Sequence, residues 1–269
     1  MKRAPATAKI NLALVVGPER RDGKHEVATV MQGVDLCDRI TIRPAGRLRV
    51  TGFRDDTIVA RALTALAGAA GVRPGWSIHI AKEIPVAGGL GGGSSDAATA
   101  LRLANATLEE PLPPGRLHEL AASLGADVPF FLAPGPQLGR GDGGELEPLD
   151  LPQDYWVVLV LPHGAEKEST AAVYARFDGA AGFEERRAAL LDAVAGARRP
   201  RDLAALPPND LASSPLADTL RALGAFRADV TGAGPAVYGL FLHRAAAVAA
   251  RAALEPRGRT WLTVPTWYV

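Results

Sequence analysis

The stretch PVAGGLGGGSSDAATALRLAN, Pro85 to Asn105, places five glycines within the six positions 88–93. It then turns at once into an alanine- and leucine-rich run. In that run Ala97, Leu101 and Ala104 recur at i, i+4 and i+7, one face of an α-helix. A backbone without Cβ atoms can turn tightly and aim several N–H groups at one point, a concavity that attracts anions. The open first turn of the following helix adds unpaired N–H groups and roughly half a positive charge. Ser94 and Ser95 stand where an N-cap is expected, and their hydroxyls suit either the helix end or a bound phosphate and its Mg²⁺, with Ser95 the candidate metal ligand. The common phosphate signatures do not fit: GGLGGGSS has no lysine for G-x-x-x-x-G-K-[ST] and cannot be threaded as G-x-G-x-x-G. GRGDGG at Gly139–Gly144 does match the second pattern, but it runs into ELEPLDLP, which is no helix, so the match is discarded.

Working outward, AKINLALVV alternates Ile10, Leu12 and Leu14 with Lys9, Asn11 and Ala13, the period of a half-buried strand with Lys9 and Asn11 on one face. RITI, LRVTGF and WSIHIAKEIP read as further strands, and DDTIVARALTALAGAAG as a helix. After the loop, GRLHELAASLG predicts a second helix that Gly125 stops. Residues Pro134 to Pro152 are rich in Gly, Pro and Asp and predict a surface hairpin, with a boundary near residue 150. Beyond it come a strand, YWVVLVLP, a charged helix around FEERRAALLDAVAGARR, and then a helix–strand–strand–helix–strand succession. Strands and helices mix without strict alternation, which predicts an α+β protein over a doubly wound parallel sheet.

Composition narrows the function. Lys and Arg number 30 against 29 Asp and Glu, a formal net charge of +1, so no global field would gather nucleic acid or an anionic membrane. One cysteine, Cys37, rules out an internal disulfide framework and suits a reducing cytoplasm. The apolar run Leu12–Val16 is too short for a signal segment or a membrane span, so a cytoplasmic protein is expected. His25 and His118 each precede a glutamate but lack a second histidine at i+4, so no zinc helix is present, and no G-x-S-x-G marks a serine hydrolase.

At this point the residues resemble a known family. PVAGGLGGGSSDAA is similar to the phosphate loop of the GHMP small-molecule kinases, and PATAKINLAL, RRDGKHEVATVMQGVDLCDRITI, LGADVPFFL and VTGAGPAVYGLF follow that family in order and approximate spacing. The resemblance implies a two-domain α+β architecture, 1–150 and a ferredoxin-like 151–269, with the active site in the interdomain cleft. It implies ATP and Mg²⁺ and a cytidine diphosphate-linked sugar alcohol as the small-molecule acceptor, in isoprenoid precursor synthesis, by a monomer or homodimer. Carried over by position, Lys9 and Asp127 match the catalytic pair. Pro85, Val86, Ala87, Gly88, Gly89, Leu90, Gly91, Gly92, Gly93, Ser94 and Ser95 match the ATP loop. Asn11, His25, Tyr174, Gly232 and Gly234 fall at acceptor-side positions, His25 recognising the cytosine and Tyr174 stacking on it. Two residues depart from the family: Lys24 stands where an aromatic is usual, and Asp56 where Asn is common near the adenine.

In this scheme Asp127 takes the proton of the acceptor hydroxyl while Lys9 orients it and balances charge. The residues by themselves leave other roles open. Asp127 follows a helix-stopping glycine and suits a turn or N-cap, Lys9 suits the outer face of an edge strand, and Tyr174 suits core packing. Another small alcohol as acceptor, or a nucleotide sensor without turnover, are the competing functions. The sensor has no use for an in-line base.

Overall fold

The first strand is buried on both faces over nearly its whole length, where the sequence predicts one buried face. The computed structural model describes residues 1–53, 58–165, 169–179 and 181–266, so Asp56 lies outside the described residues. In chain order the elements are β1 (Lys2–Glu19), β2 (His25–Pro44), β3 (Arg49–Thr51), α1 (Ile58–Ala69), β4 (Trp76–Ala81), α2 (Gly92–Asn105), α3 (Pro114–Leu124), a 3₁₀ turn Pro129–Leu132, β5 (Gln137–Arg140) and β6 (Glu145–Pro148). There follow β7 (Trp156–Pro162), α4 (Thr170–Ala175), α5 (Phe183–Gly196), α6 (Pro215–Ala222), β8 (Arg227–Val230), β9 (Val237–Phe241), α7 (Arg244–Leu254) and β10 (Gly258–Thr263). Helices and mixed sheets make this α+β, as the sequence predicts.

Two sheets organise the chain. The first runs β3-β4-β2-β5-β6, with β1 antiparallel to β2 along its other side. Helices α1 and α2 cover it through a core that includes Ile40, Ile42, Leu63, Leu66, Ile78, Ile80 and Leu101. The second sheet, β10-β7-β9-β8, is antiparallel throughout. Its one face packs on α6 and α7 through Val158, Val160, Leu220, Phe241 and Leu254. Its other face, with Val157, Leu159, Tyr238 and Leu240, shares a core with Ile10, Leu12 and Val15 of β1 and Leu190 of α5. That second cover explains why β1 lost its solvent face: the strand is the seam between the two sheets. Among the described residues no helix is long and apolar enough to cross a membrane.

Polar groups lock the seam. Tyr238, fully buried, donates its hydroxyl to Leu12 O at 3.0 Å and accepts from Arg227 Nε at 3.0 Å. Arg227 in turn reaches Leu206 O at 2.6 Å and Pro207 O at 2.8 Å. Asn209 bridges to Leu14, and the Asp210 N–H donates to Leu14 O at 2.9 Å. Burial pushes the Tyr238 phenol up first, and Arg227 opposes it, so the group stays a neutral donor. Replacing it as Tyr238→Phe strands the Leu12 carbonyl and the Arg227 Nε–H in the core. The expected loss is about 1–3 kcal/mol of stability in urea unfolding, with little change in fold. A change under about 0.5 kcal/mol would show that the hydroxyl does not hold the seam.

Candidate active site

The glycine loop is held by three backbones that come close together. Lys9 N–H donates to Leu90 O at 2.9 Å from β1, and Ala236 N–H donates to Gly88 O at 3.1 Å from the β8–β9 connection. Gly89 has φ +80°, and a Cβ there would sit 2.5 Å from Thr231 O and 3.0 Å from Gly234 O. No residue with a side chain fits that gap. Gly91, φ +71°, caps α2, and its Cβ would meet the Phe131 ring at 2.9 Å. Ala87 also holds a left-handed φ of 67°, a conformation costly for a side chain and concentrated at functional loops.

The serine caps expected from the sequence are corrected here. The N-cap is Gly91, with no side-chain cap, and the helix starts at Gly92, so Ser94 and Ser95 are its third and fourth residues. A backbone already turned by glycine leaves the N–H groups of Gly92, Gly93 and Ser94 open at the first turn, and no acidic side chain lies in that turn. Ser94 lines the cleft; Ser95, 1% exposed, does not line it, and its buried hydroxyl has no hydrogen-bond partner among the described residues.

Below the loop opens a cleft of about 800 Å³. Lys9, Asn11, His25, Asp127, Tyr174, Gly232 and the loop from Pro85 to Ser94 all line it, whereas Gly234 packs behind Gly89. Lys9 Nζ donates to Asn11 Oδ1 at 2.7 Å and lies 3.4 Å from Asp127 Oδ2. Asn11 is fixed in turn: Nδ2 donates to Thr29 Oγ1 at 2.8 Å, Thr29 Oγ1 to Ala13 O at 2.8 Å, and Asn11 N–H to Thr231 Oγ1 at 3.0 Å. The Lys9 side chain is 5% exposed and that of Asp127 42%. The cation is thus buried and tethered, and the carboxylate faces the open cleft. Asp127 lies in the turn after α3; the 3₁₀ helix that follows is capped by Val128 without a side-chain bond, so the carboxylate is not spent as a cap.

At the far end, His25 Nδ1 lies 2.8 Å from Gly17 O, a partner that only accepts, so Nδ1 carries the proton. That bond leaves Nε2 as the free ring nitrogen of His25, which lines the cleft. The Tyr174 ring stands 5.5 Å from that of His25 at 40°, and Phe177 stands 5.9 Å away, edge-on. Tyr174 packs against Leu14, Val16 and Val27 as well as lining the cleft, so packing and cleft-lining coexist. Burial first, and then the Asp127 charge, push its phenol up, so it stays neutral. Lys24 is ion-paired with Asp142 at the turn joining β5 and β6. The discarded GRGDGG stretch therefore contributes to the cleft after all, through Asp142 and not through phosphate binding.

The sequence reading missed a buried charge cluster beneath the loop. Lys82 Nζ is hydrogen-bonded to Asp38 Oδ2 and, at 2.8 Å, to Asp96 Oδ2, both aspartates being fully buried. Asp38 Oδ1 also accepts the N–H groups of Glu83 (2.6 Å) and Ile84 (2.9 Å). Burial, and then the Asp38 charge, push Asp96 up to about 8 despite Lys82. The signal was the lone lysine in AKEIP just ahead of the loop, but its partners lie 44 and 14 residues away and carry no local mark. Thr29 and Thr231, which anchor Asn11, were equally silent.

The family models named GHMP kinases N terminal domain and GHMP kinases C terminal match residues 57–135 and 201–258. Two relatives named 4-diphosphocytidyl-2-C-methyl-D-erythritol kinase resemble the chain over nearly its full length. The Salinispora tropica protein is 40% identical, covering 94% of this chain and 87% of its own, and the Geobacter sulfurreducens protein is 38% identical, covering 95% of each. A crystal structure of 4-(cytidine 5'-diphospho)-2C-methyl-D-erythritol kinase superposes with a TM-score of 0.80 at 32% identity, covering 98% of this chain and 99% of that one. A crystal structure of mevalonate kinase, at 14% identity, shares the fold with a TM-score of 0.77 and 99% coverage of both chains.

The raised Asp96 gives a pH dependence of definite sign. Between the ordinary carboxylate range and about pH 8 the folded state keeps a proton that the unfolded chain releases, so this group's contribution to stability falls as pH rises through that window. Asp96→Asn removes the titration. Its stability relative to the parent protein is expected to rise by about 1 kcal/mol or more between pH 5 and pH 8, measured by urea unfolding at each pH. A constant difference would mean that Asp96 is ionised throughout.

Proposed function

This chain belongs to the GHMP kinase family, and we propose that it transfers the γ-phosphoryl group of ATP to the 2-hydroxyl of 4-diphosphocytidyl-2-C-methyl-D-erythritol. The observation that carries the reading is the Lys9–Asp127 pair, set between an open helix N-terminus and an end of the cleft built from His25 and Tyr174. The N–H groups of Gly92, Gly93 and Ser94 hold the phosphates, since they lack intrahelical acceptors and the first turn carries no acidic side chain. Asp127, open to the cleft, accepts the proton of the acceptor hydroxyl. Lys9, tethered by Asn11, stabilises the charge that develops between the two substrates. Because the transition state is loose, a carboxylate is base enough: the proton leaves late. The acceptor's base end meets Tyr174 by stacking and His25 through Nε2.

Mg²⁺ accompanies ATP in this scheme. Among the described residues no cluster of three acidic, histidine or cysteine side chains could hold a metal, and Asp127 and the Ser94 hydroxyl are the oxygen donors beside the loop. Such a sparse set fits a cation that keeps most of its ligands from phosphate and water. Bound there, Mg²⁺ would neutralise phosphate charge. We place the boundary between the two halves near residue 150, in the connection from Pro148 to Trp156, and the protein in the cytoplasm, where its one free thiol, Cys37, stays reduced. One feature favours a different small alcohol of the same family: the Lys24–Asp142 ion pair occupies the base end where a second aromatic would stack.

Release of ADP from Mg·ATP tests the reading against 4-diphosphocytidyl-2-C-methyl-D-erythritol, homoserine, mevalonate and galactose. Turnover confined to the cytidine-linked alcohol is expected, and Asp127→Ala should lower kcat by about 10²–10⁴ with an unchanged melting temperature. Turnover of another alcohol alone would transfer the assignment to that acceptor. Tyr174→Ala should raise KM for the acceptor by about ten-fold and leave KM for ATP unaltered, as expected for a ring that binds only the former.

A further inference from the structure

The glycine loop is anchored at both ends by one half-buried ammonium. β4 ends at Ala81, and the three residues after it, Lys82, Glu83 and Ile84, lead directly into Pro85. Asp38 of β2 takes the N–H groups of Glu83 and Ile84 and one proton of Lys82, which fixes the loop's entry. Asp96, on the second turn of α2, takes another proton of the same ammonium, which fixes the loop's exit. The distance between entry and exit is then set by a single nitrogen. Contact confirms the closeness: a Cβ built on Gly92 would lie 3.0 Å from Ile84 Cγ2 and 3.3 Å from Lys82 Nζ. Lys82 is 16% exposed, lines the cleft, and lies over the Phe53 ring at 5.6 Å.

Stability alone is a poor reason for this arrangement. An ammonium set between two fully buried carboxyl groups costs desolvation that an apolar trio of similar volume would avoid. Among the described residues Lys82 forms ion pairs with Asp38 and Asp96. Arg61 of α1 and Arg116, His118 and Glu119 of α3 are exposed, and the Pro129–Leu132 turn is apolar. What the ion cluster supplies that apolar contacts do not is direction: each of the hydrogen bonds made by Asp38 Oδ1, Asp38 Oδ2 and Asp96 Oδ2 holds its partners to within a few tenths of an ångström. We propose that Lys82 is a positioning residue of the phosphate loop, tying the entry at Glu83 and Ile84 to the second turn of α2 through Asp38 and Asp96, so that the N–H groups of Gly92, Gly93 and Ser94 stay aimed at the phosphates of ATP. This rests on reading the cleft as an ATP site.

The test uses the full chain in three variants: Lys82→Met, Lys82→Arg, and the double variant Lys82→Met with Asp96→Asn, which removes the second ionisable carboxyl beside Asp38 should the first fail to fold. Binding of Mg·ATP by calorimetry is read beside the steady-state KM for ATP, the KM for the acceptor, and the melting temperature. Loss of the ammonium, in the single or the double variant, is expected to weaken ATP about ten-fold, the scale of one charge-assisted hydrogen bond. The acceptor KM should stay within about two-fold, and Lys82→Arg should recover most of the ATP affinity. A folded Lys82→Met or double variant that binds ATP like the parent, whatever its melting temperature, overturns the proposal; so does equal weakening of both substrates. Calorimetry with ATP reads the loop even if none of the alcohols is turned over, so failure of the proposed acceptor leaves this result standing. A parent protein that binds no ATP overturns both.

Discussion

The cleft depends on how closely three stretches of backbone approach at Gly89. β1, the glycine loop and the β8–β9 connection meet there with no side chain between them, joined by Lys9 N–H to Leu90 O and Ala236 N–H to Gly88 O. The two sheets meet along β1, through a shared core and the Tyr238–Leu12 bond, and each carries its own helices. Where they touch, the loop of the first sheet is built against the connection of the second, and the distance is that of bare peptide on peptide: Thr231 O would stand 2.5 Å from a Cβ at Gly89. Ordered glycines cost conformational entropy, roughly 0.5–1 kcal/mol each. The contact explains why that cost is borne: only such an approach brings Lys9 of β1 beneath the start of α2.

From that contact the polar chemistry follows in order. With Leu90 pinned to Lys9, the lysine side chain emerges beside Gly91, whose Cβ would lie 3.0 Å from Lys9 Cγ. The ammonium is then confined between Asn11 and Asp127. Asn11 cannot swing away, because Thr29 of β2 holds its amide and Thr231 of the β8–β9 connection holds its N–H. Buried cations need partners; here one partner is a tethered amide and the other a carboxylate left open to the cleft. The asymmetry of exposure within the pair suits the roles proposed above: the cation is held in place, and the carboxylate is open to the cleft.

How much of this was legible in the sequence depended on whether the signal was local. The glycine run and its helix were, because glycine density and the spacing of Ala97, Leu101 and Ala104 sit side by side. The helix start was misplaced by the usual preference for serine caps, since Gly91 turns the chain without one. Only the C-terminal part of β2, RITI, was read as a strand, because residues from Val27 to Val34 are buried on both faces and so do not alternate. The same double burial hid the role of β1 as a seam. Lys9 and Asn11 were placed correctly on one face, as strand periodicity requires, but nothing nearby told whether that face was wet. Lys82, Asp38 and Asp96 belong to three separate elements, and only the fold brings them to one nitrogen.

The fold by itself does not select the acceptor, since function lies in sites grafted on folds. In this chain the phosphate end is built from backbone: N–H groups, carbonyls and glycines that any member of the architecture can share. The other end is built from side chains on the β1–β2 turn, the β5–β6 turn and α4, namely Lys24, His25, Asp142 and Tyr174. Those three segments are short and near the surface, so they can change without moving the Gly89 contact. An exposed ion pair such as Lys24–Asp142 is worth little to stability, typically under about 1 kcal/mol. Its weight falls on what enters the cleft. On the proposed assignment, donor recognition is tied to the closely packed backbone at Gly89 and acceptor recognition to side chains on surface segments, a division that lets one scaffold keep its chemistry while its substrate changes.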